Sequence, residues 1–298
     1  MKRKLISIAL VVGVFAGTLM LSAKAEEASF FINKNGVKID NKVVAKFKDQ
    51  LGIDYFNTVS ADEYTILNNL SETGYKEETI VNVEKQLVEN GKVLETQNYN
   101  LTEEEYATES MISPMTTCTD YSAQACWQTN AKRLTLWIGV NYVNNYISAY
   151  VNNEWLTVPN VKEADVIALR FTGVVRTNIV SGTQHYVRTS TGQGGVIDYP
   201  SDNGNVQKFS NGVGISMNLV DDAKEHRSFM AWGGYFDNIN DVTIYASYQH
   251  ATSYVSVADS KKYNLSASGL GGVINFTNST IKSKYDGMTG VSFHAANV

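Results

Sequence analysis

From Leu134 to Phe293 the chain is a succession of short β-prone runs cut by glycine and asparagine turns, with no long helical periodicity between them. Leu134-Thr135-Leu136-Trp137-Ile138, Ile147 to Val151 and Val166 to Phe171 open the series. His185 to Arg188, Gly214 to Leu219, Phe229 to Trp232, Val242 to Tyr248, Val273 to Phe276 and Gly290 to Phe293 follow. Ser181-Gly182, Asp202-Asn203-Gly204, Asn211-Gly212, Gly233-Gly234 and Gly271-Gly272 punctuate it. Many short strands at such spacing predict a mainly β chain, an antiparallel β-sandwich or barrel-like domain. No repeat of constant period occurs.

The residues before it read differently. Val43, Val44, Phe47 and Leu51 recur at helical spacing, and Gly52 can close that helix. Ser60-Ala61-Asp62-Glu63 and Thr102-Glu103-Glu104-Glu105 are capping boxes, in which a hydroxyl and a carboxylate exchange hydrogen bonds with the first-turn backbone. Asn35-Gly36 and Asn90-Gly91 are hairpin turns, the second joining Glu78–Val88 to Lys92–Asn100. The expected organisation is an acidic α+β segment over 26–106, a patternless linker over 107–117 and an all-β domain over 118–298. The acidic segment could be a pro-segment or a permanent module.

Charge follows the same division. Residues 26–110 carry 17 acids and 8 bases, whereas 111–298 carry 13 of each. No clustered basic stretch exists to neutralise phosphates, so nucleic acid is excluded as a partner. A nearly neutral β domain points to contacts not governed by charge.

Lys2, Arg3 and Lys4, an apolar run from Leu5 to about Leu21 and Ser22-Ala23-Lys24-Ala25 before Glu26-Glu27 form a signal peptide over 1–25. The protein is expected to be secreted and extracellular, with no membrane span after cleavage. In an exported chain the two cysteines, Cys118 and Cys126, are read as a disulfide. A bridge over so short a loop contributes about 2–3 kcal/mol before strain.

Trp155-Leu156-Thr157-Val158-Pro159-Asn160-Val161 through Ile167 is one distinctive tract. Tyr245-Ala246-Ser247-Tyr248-Gln249-His250-Ala251, with Ser260-Lys261-Lys262-Tyr263 and Gly269-Leu270-Gly271-Gly272-Val273, is another. Together they resemble a group of secreted proteins of Gram-positive bacteria with a signal peptide, an acidic N-terminal segment and a β-rich C-terminal segment. The resemblance implies that organisation and carries over no activity and no site residue.

Catalytic patterns are sparse. His185, His226, His250 and His294 do not form an HExxH or comparable spacing. No G-x-S-x-G elbow occurs, and Gly214-Ile215-Ser216-Met217-Asn218 lacks the second glycine. Glu154 beside Trp155 is the carboxylate a glycoside hydrolase would use, and it lacks an evident second acid. No cofactor motif is present. Oxygen-rich Asp237-Asn238-Ile239-Asn240-Asp241 is the tract that best suits calcium, ahead of Asp198 to Asn205, and it misses the EF-hand pattern.

Trp127, Trp137, Trp155 and Trp232 join about a dozen tyrosines in the β region. Exposed, they would be flat platforms for sugars or proteins; buried, they would be cross-strand packing. Trp155, Trp232 and Tyr248 are the candidate contacts. The function favoured by the sequence is a non-enzymatic binding or surface-interaction protein whose partner is a glycan, a cell-envelope polymer or a protein. A secreted hydrolase with an acidic pro-segment, or a membrane-active toxin, is the alternative. The first check is the start of the exported chain: N-terminal sequencing is expected to read Glu26-Glu27, and a chain retained in the membrane with Met1 would refute cleavage.

Overall fold

The computed structural model describes residues 29–89, 92–112, 126–173, 175–268, 272–286 and 290–297. The signal segment, residues 113–117 and Cys118 lie outside these, and with them the expected cleavage and the Cys118–Cys126 bridge.

Strands β1 (Phe30–Ile32) and β2 (Lys38–Asp40) form a hairpin whose Gly36 takes φ 77°, a conformation glycine adopts without strain. Helices α1 (Asn41–Leu51), α2 (Ile53–Phe56) and α3 (Ala61–Thr73) follow. Asp40 caps α1 by accepting from Lys42 N–H, and the Ser60–Glu63 capping box opens α3 as its spacing predicts. A long hairpin of β3 (Lys76–Glu89) and β4 (Lys92–Leu101) leads into α4 (Glu103–Ile112). The Thr102–Glu105 box starts α4, so helix occupies the first residues of the expected linker.

Then come β5 (Cys126–Asn141), β6 (Tyr146–Thr157), β7 (Ala164–Phe171), β8 (Val175–Arg188) and β9 (Gly194–Tyr199). Next are β10 (Val206–Phe209), β11 (Gly212–Asn218), β12 (Ala223–Phe236) and β13 (Thr243–Gln249). Short helix α5 (Val257–Ser260), hairpin β14 (Tyr263–Ser268) and β15 (Gly272–Phe276), helix α6 (Ser279–Lys282) and β16 (Val291–His294) complete the chain.

Two antiparallel sheets carry the fold. The larger runs β4-β3-β5-β6-β12-β8-β9 and the smaller β10-β11-β7-β13-β16. Their facing residues form the main core. Leu134, Leu136 and Ile138 of β5, Ile147 and Val151 of β6, and Met230 and Trp232 of β12 meet Ile167, Leu169 and Phe171 of β7. Val213, Ile215 and Met217 of β11 with Ile244 and Tyr248 of β13 close it. Gly182 on β8 permits this approach, since a Cβ there would lie 2.5 Å from Ile215 Cδ1. The mainly β sandwich expected from the sequence is the architecture observed.

The intervening residues of the larger sheet are buried too. Trp137, Tyr150, Phe229 and Ala231 point the other way, against Phe47, Leu51, Tyr55, Phe56, Ile66, Leu67 and Leu70 of the helices. The smaller sheet is covered in turn at Val166 and Ala168 by Tyr263, Leu265, Ile274 and Phe276 of the β14–β15 hairpin and by Tyr285. Four layers result: helices, large sheet, small sheet, hairpin.

This arrangement corrects the expected domain boundary. β3 pairs with β5 at every position from Lys76↔Ile138 to Val88↔Cys126. Residues on either side of 107–117 therefore share one sheet, and the helices share one core with Trp137, Tyr150 and Phe229. The charge step misled because segments of different charge contribute strands to the same sheet. Among the described residues no helix is long and apolar enough to cross a membrane.

Burial also sets the titration of polar groups within the layers. Desolvation pushes His185 and His226 down from 6.5 to about 4, with Arg227 adding to the effect at His185. Both rings then bind fewer protons in the folded chain than in the unfolded one. Stability therefore rises with pH between about 4 and 6.5, and is lost as the pH falls through that window. Glu63, raised by burial, has the opposite slope. Urea unfolding at stepped pH is expected to show His226→Gln flattening the dependence by about 1.4 kcal/mol per pH unit; an unchanged slope would contradict the buried neutral ring.

Candidate functional site

The helix-covered face of the large sheet holds the clefts. On β8, alternation places Ser181, Thr183 and His185 toward the helices, while Gly182 and Gln184 face the other sheet. His185 lies opposite Arg227 of β12 and Val196 of β9. Above it, α1 ends at Gly52, whose φ of 81° turns the chain directly into α2. That turn leaves Leu51 C=O near the end of the helix, where Arg227 Nη1 donates to it at 3.3 Å.

Arg227 separates two clefts. One, of about 590 Å³, is lined by Lys34, Asp54, Tyr55, His185, Tyr186 and Glu225. The other, of about 460 Å³, is lined by Asp49, Gln50, Glu103, Arg133, Asn152 and Glu154. Arg227 borders both, and the two clefts flanking it beneath the α1–α2 turn make up one interrupted groove. Tyr186 lies across the backbone of its cross-strand partner Gly195, where a Cβ would meet the ring at 2.3 Å.

Polar order in this groove comes from a ladder of charges. Glu154 Oε2 accepts from Arg133 Nη1 at 3.0 Å, and Glu154 Oε1 accepts from Arg227 Nη2 at 2.6 Å. Arg133 also donates to both oxygens of Glu103. Partly exposed pairs of this kind contribute at most about 1 kcal/mol each, so they orient side chains more than they stabilise the fold. Among the buried polar atoms without a protein partner are His185 Nε2, on a residue lining one cleft, and Asn152 Oδ1, on a residue lining the other. Deeper in, Glu63 accepts from Ser60 and Thr183, and Tyr150 donates to Tyr55 at 2.7 Å. Burial raises the Tyr55 hydroxyl well above its ordinary range, so it stays protonated.

The structure disperses the aromatic candidates. Trp232 and Tyr248 are wholly buried and Trp155 is nearly so. Trp232 packs on Phe171 with ring centroids 4.2 Å apart, and all three point between the sheets. None is a surface platform: each occupies the strand register that faces the partner sheet, and large rings fill that space. Trp137 also lies in the core, under the helices, with its indole N–H on Glu77.

Glu154 lines the groove with its oxygens held by Arg133 and Arg227, in a cleft that Asp49, Glu77 and Glu103 also line. Its neighbour Trp155 projects to the opposite face. Asp237–Asp241 forms the β12–β13 loop, closed by Asn238 Nδ2 on Asp241 and by Asn240 N–H on Asn238 Oδ1. Among the described residues no three His, Cys, Asp or Glu side chains are grouped to hold a metal.

A second polar cluster lies between the sheets, where the sequence reading had named only Trp155, Tyr248 and His250. Lys132 Nζ contacts Asp286 Oδ2, and His250 N–H donates to Asp286 Oδ1 at 3.1 Å. Asp165 accepts from Tyr248 Oη–H and from Ala251 N–H at 2.9 Å, with His250 Nδ1 also 2.9 Å from it. A usable signal existed. Lys132 stands two residues before the inward run Leu134-x-Leu136-x-Ile138, and Asp165 two before Ile167-x-Leu169-x-Phe171.

No family model matches this chain, and no curated protein matches it. Solved structures give distant likenesses. One, from work on pH-induced modulation of Streptococcus parasanguinis adhesion by Fap1 fimbriae, is 12% identical at TM-score 0.26, covering 54% of this chain and 80% of that one. Another, described with manganese lipoxygenase of Gaeumannomyces graminis and zonadhesin of Komagataella pastoris, is 10% identical at TM-score 0.26, covering 74% and 84%. The membrane-inserted Clostridium perfringens NetB toxin is 10% identical at TM-score 0.17, covering 40% and 78%. At such scores these likenesses carry no argument about fold or function.

Proposed function

We propose that this is a secreted binding protein that holds a segment of an extended, polyhydroxylated polymer, a glycan chain, in the groove beneath the α1–α2 turn. The observation that carries the reading is that each half of that groove is lined by a residue with a buried, unpartnered polar atom, His185 with Nε2 and Asn152 with Oδ1. Buried polar atoms without a partner are costly, and hydroxyls both donate and accept, so one ligand type satisfies both. The charged rim of Arg133, Arg227, Glu154 and Glu103 is already internally paired, which suits a neutral ligand better than an ionic one.

Hydrolysis is the weaker reading for a stated reason. Glu154 has each oxygen engaged by a guanidinium, and His185 is held neutral with no carboxylate among its hydrogen-bonding partners. Binding therefore depends on hydrogen bonds in a wet groove, with the large aromatics acting from beneath as the floor that keeps it rigid.

The test is calorimetric titration of the mature chain with soluble cell-wall and neutral polysaccharide fragments. His185→Ala and Asn152→Ala are each expected to weaken binding by about tenfold, the loss of one buried hydrogen bond or slightly more. Undiminished binding in both variants would overturn the site. Release of new reducing ends over time would overturn the non-enzymatic reading.

A further inference from the structure

Lys132 enters the space between the two sheets, and its side chain and that of Asp286 are 2% and 1% exposed. The Trp155 and Tyr248 rings lie 5.1 and 5.6 Å from Nζ. Asp286 is held from the other side by His250 N–H on Oδ1, a donor placed on the carboxyl oxygen that Lys132 does not contact. Two further carboxylates act on the amine: Asp165, wholly buried, and Glu84, whose Oε2 is buried without a partner.

An amine and a carboxyl desolvated together in direct contact form an expensive ion pair, because each charge has left water. The same surroundings favour a different outcome. Burial lowers the Lys132 ammonium to about 8, so neutral amine is available near neutral pH. Fixed contact replaces a bimolecular encounter by an intramolecular one, which favours bond formation by a large effective concentration.

We propose that Lys132 Nζ and Asp286 Cγ are joined by an intramolecular amide bond that forms once the chain has folded. The amine lone pair attacks Cγ of the protonated Asp286 carboxyl, and a new N–C bond forms. The Cγ–OH bond breaks, and that oxygen leaves as water with its own proton and one proton from Nζ. Asp165 and Glu84 act on the amine through their charge, and His250 N–H supports the developing charge on Oδ1. No oxidant, reductant or further reactant is needed. The product removes one positive and one negative charge from the interior. It also closes a covalent loop between positions 154 residues apart, linking β5 to the chain ahead of β16 and so enclosing most of both sheets. For a protein read as secreted, such a bond would resist unfolding where no chaperone acts.

Intact-mass measurement of the full secreted chain, reduced and denatured, tests this without any variant. The expected mass is short of the mature sequence by one water, and trypsin digestion is expected to leave Lys132 uncut in a branched peptide carrying Asp286. Asp286 precedes Gly287, so dehydration to a succinimide is the competing explanation. Hydroxylamine separates the two, because it opens a succinimide and leaves an amide intact. Lys132→Arg is expected to restore the full mass, and Asp286→Asn to re-form the same product by losing ammonia. A wild-type mass equal to the sequence overturns the proposal, as does a water loss reversed by hydroxylamine or retained in Lys132→Arg.

Discussion

The backbone pairing of β3 along β5 is the constraint on which the rest depends. It adds two strands to one edge of the large sheet, and it brings the chain of α1 to α3 onto that sheet's outer face. Without the helices, Trp137, Tyr150 and Phe229 would face water. Each large apolar side chain left exposed forfeits about 1.5–3 kcal/mol. A sheet covered on both sides is then more economical than a two-layer sandwich with a separate acidic module. The groove exists only because the α1–α2 turn lies over β12 and β8 at Arg227.

That double covering also explains where polar groups reside. A strand buried on both faces has no solvent side for its hydroxyls, amides and charges, so their partners have to come from inside. Glu63 does so with Ser60 and Thr183, Gln184 with Tyr199, and Asp165 with Tyr248, His250 and Ala251. His185 Nε2 and Asn152 Oδ1 are among the buried atoms that lack such a partner, and they belong to residues that line the two clefts. Lys132 and Asp286 are the extreme case, an amine and a carboxyl in contact beside aromatic rings.

Much of the architecture was legible in the residues. Val43, Val44, Phe47 and Leu51 marked α1, Ser60 with Glu63 marked the start of α3, and Asn90-Gly91 marked the β3–β4 hairpin, because these signals are local. Partnership was not legible. Nothing near Lys76–Glu89 says that its neighbour is β5, since pairing between segments is decided by the whole sheet. Trp155, Trp232 and Tyr248 stood out by chemistry, but exposure depends on register against a second sheet that the local sequence does not reveal. The groove residues Arg133, Asn152 and Arg227 are ordinary polar positions on strands and acquire meaning only when α1 and α2 lie above them. Lys132 and Asp165 were discernible, as charges set in phase with inward apolar residues.

Native-state hydrogen exchange tests the shared sheet most directly, because it reads the stability of each strand within the intact chain. Amides of Val81 and Val83 in β3 and of Leu134 and Leu136 in β5 are expected to exchange through the same global opening as Tyr150 and Phe229, with one free energy and one denaturant dependence. Exchange of the β3 amides through a smaller opening, while β6 and β12 stay protected, would show that the N-terminal segment is an appendage and would contradict the account.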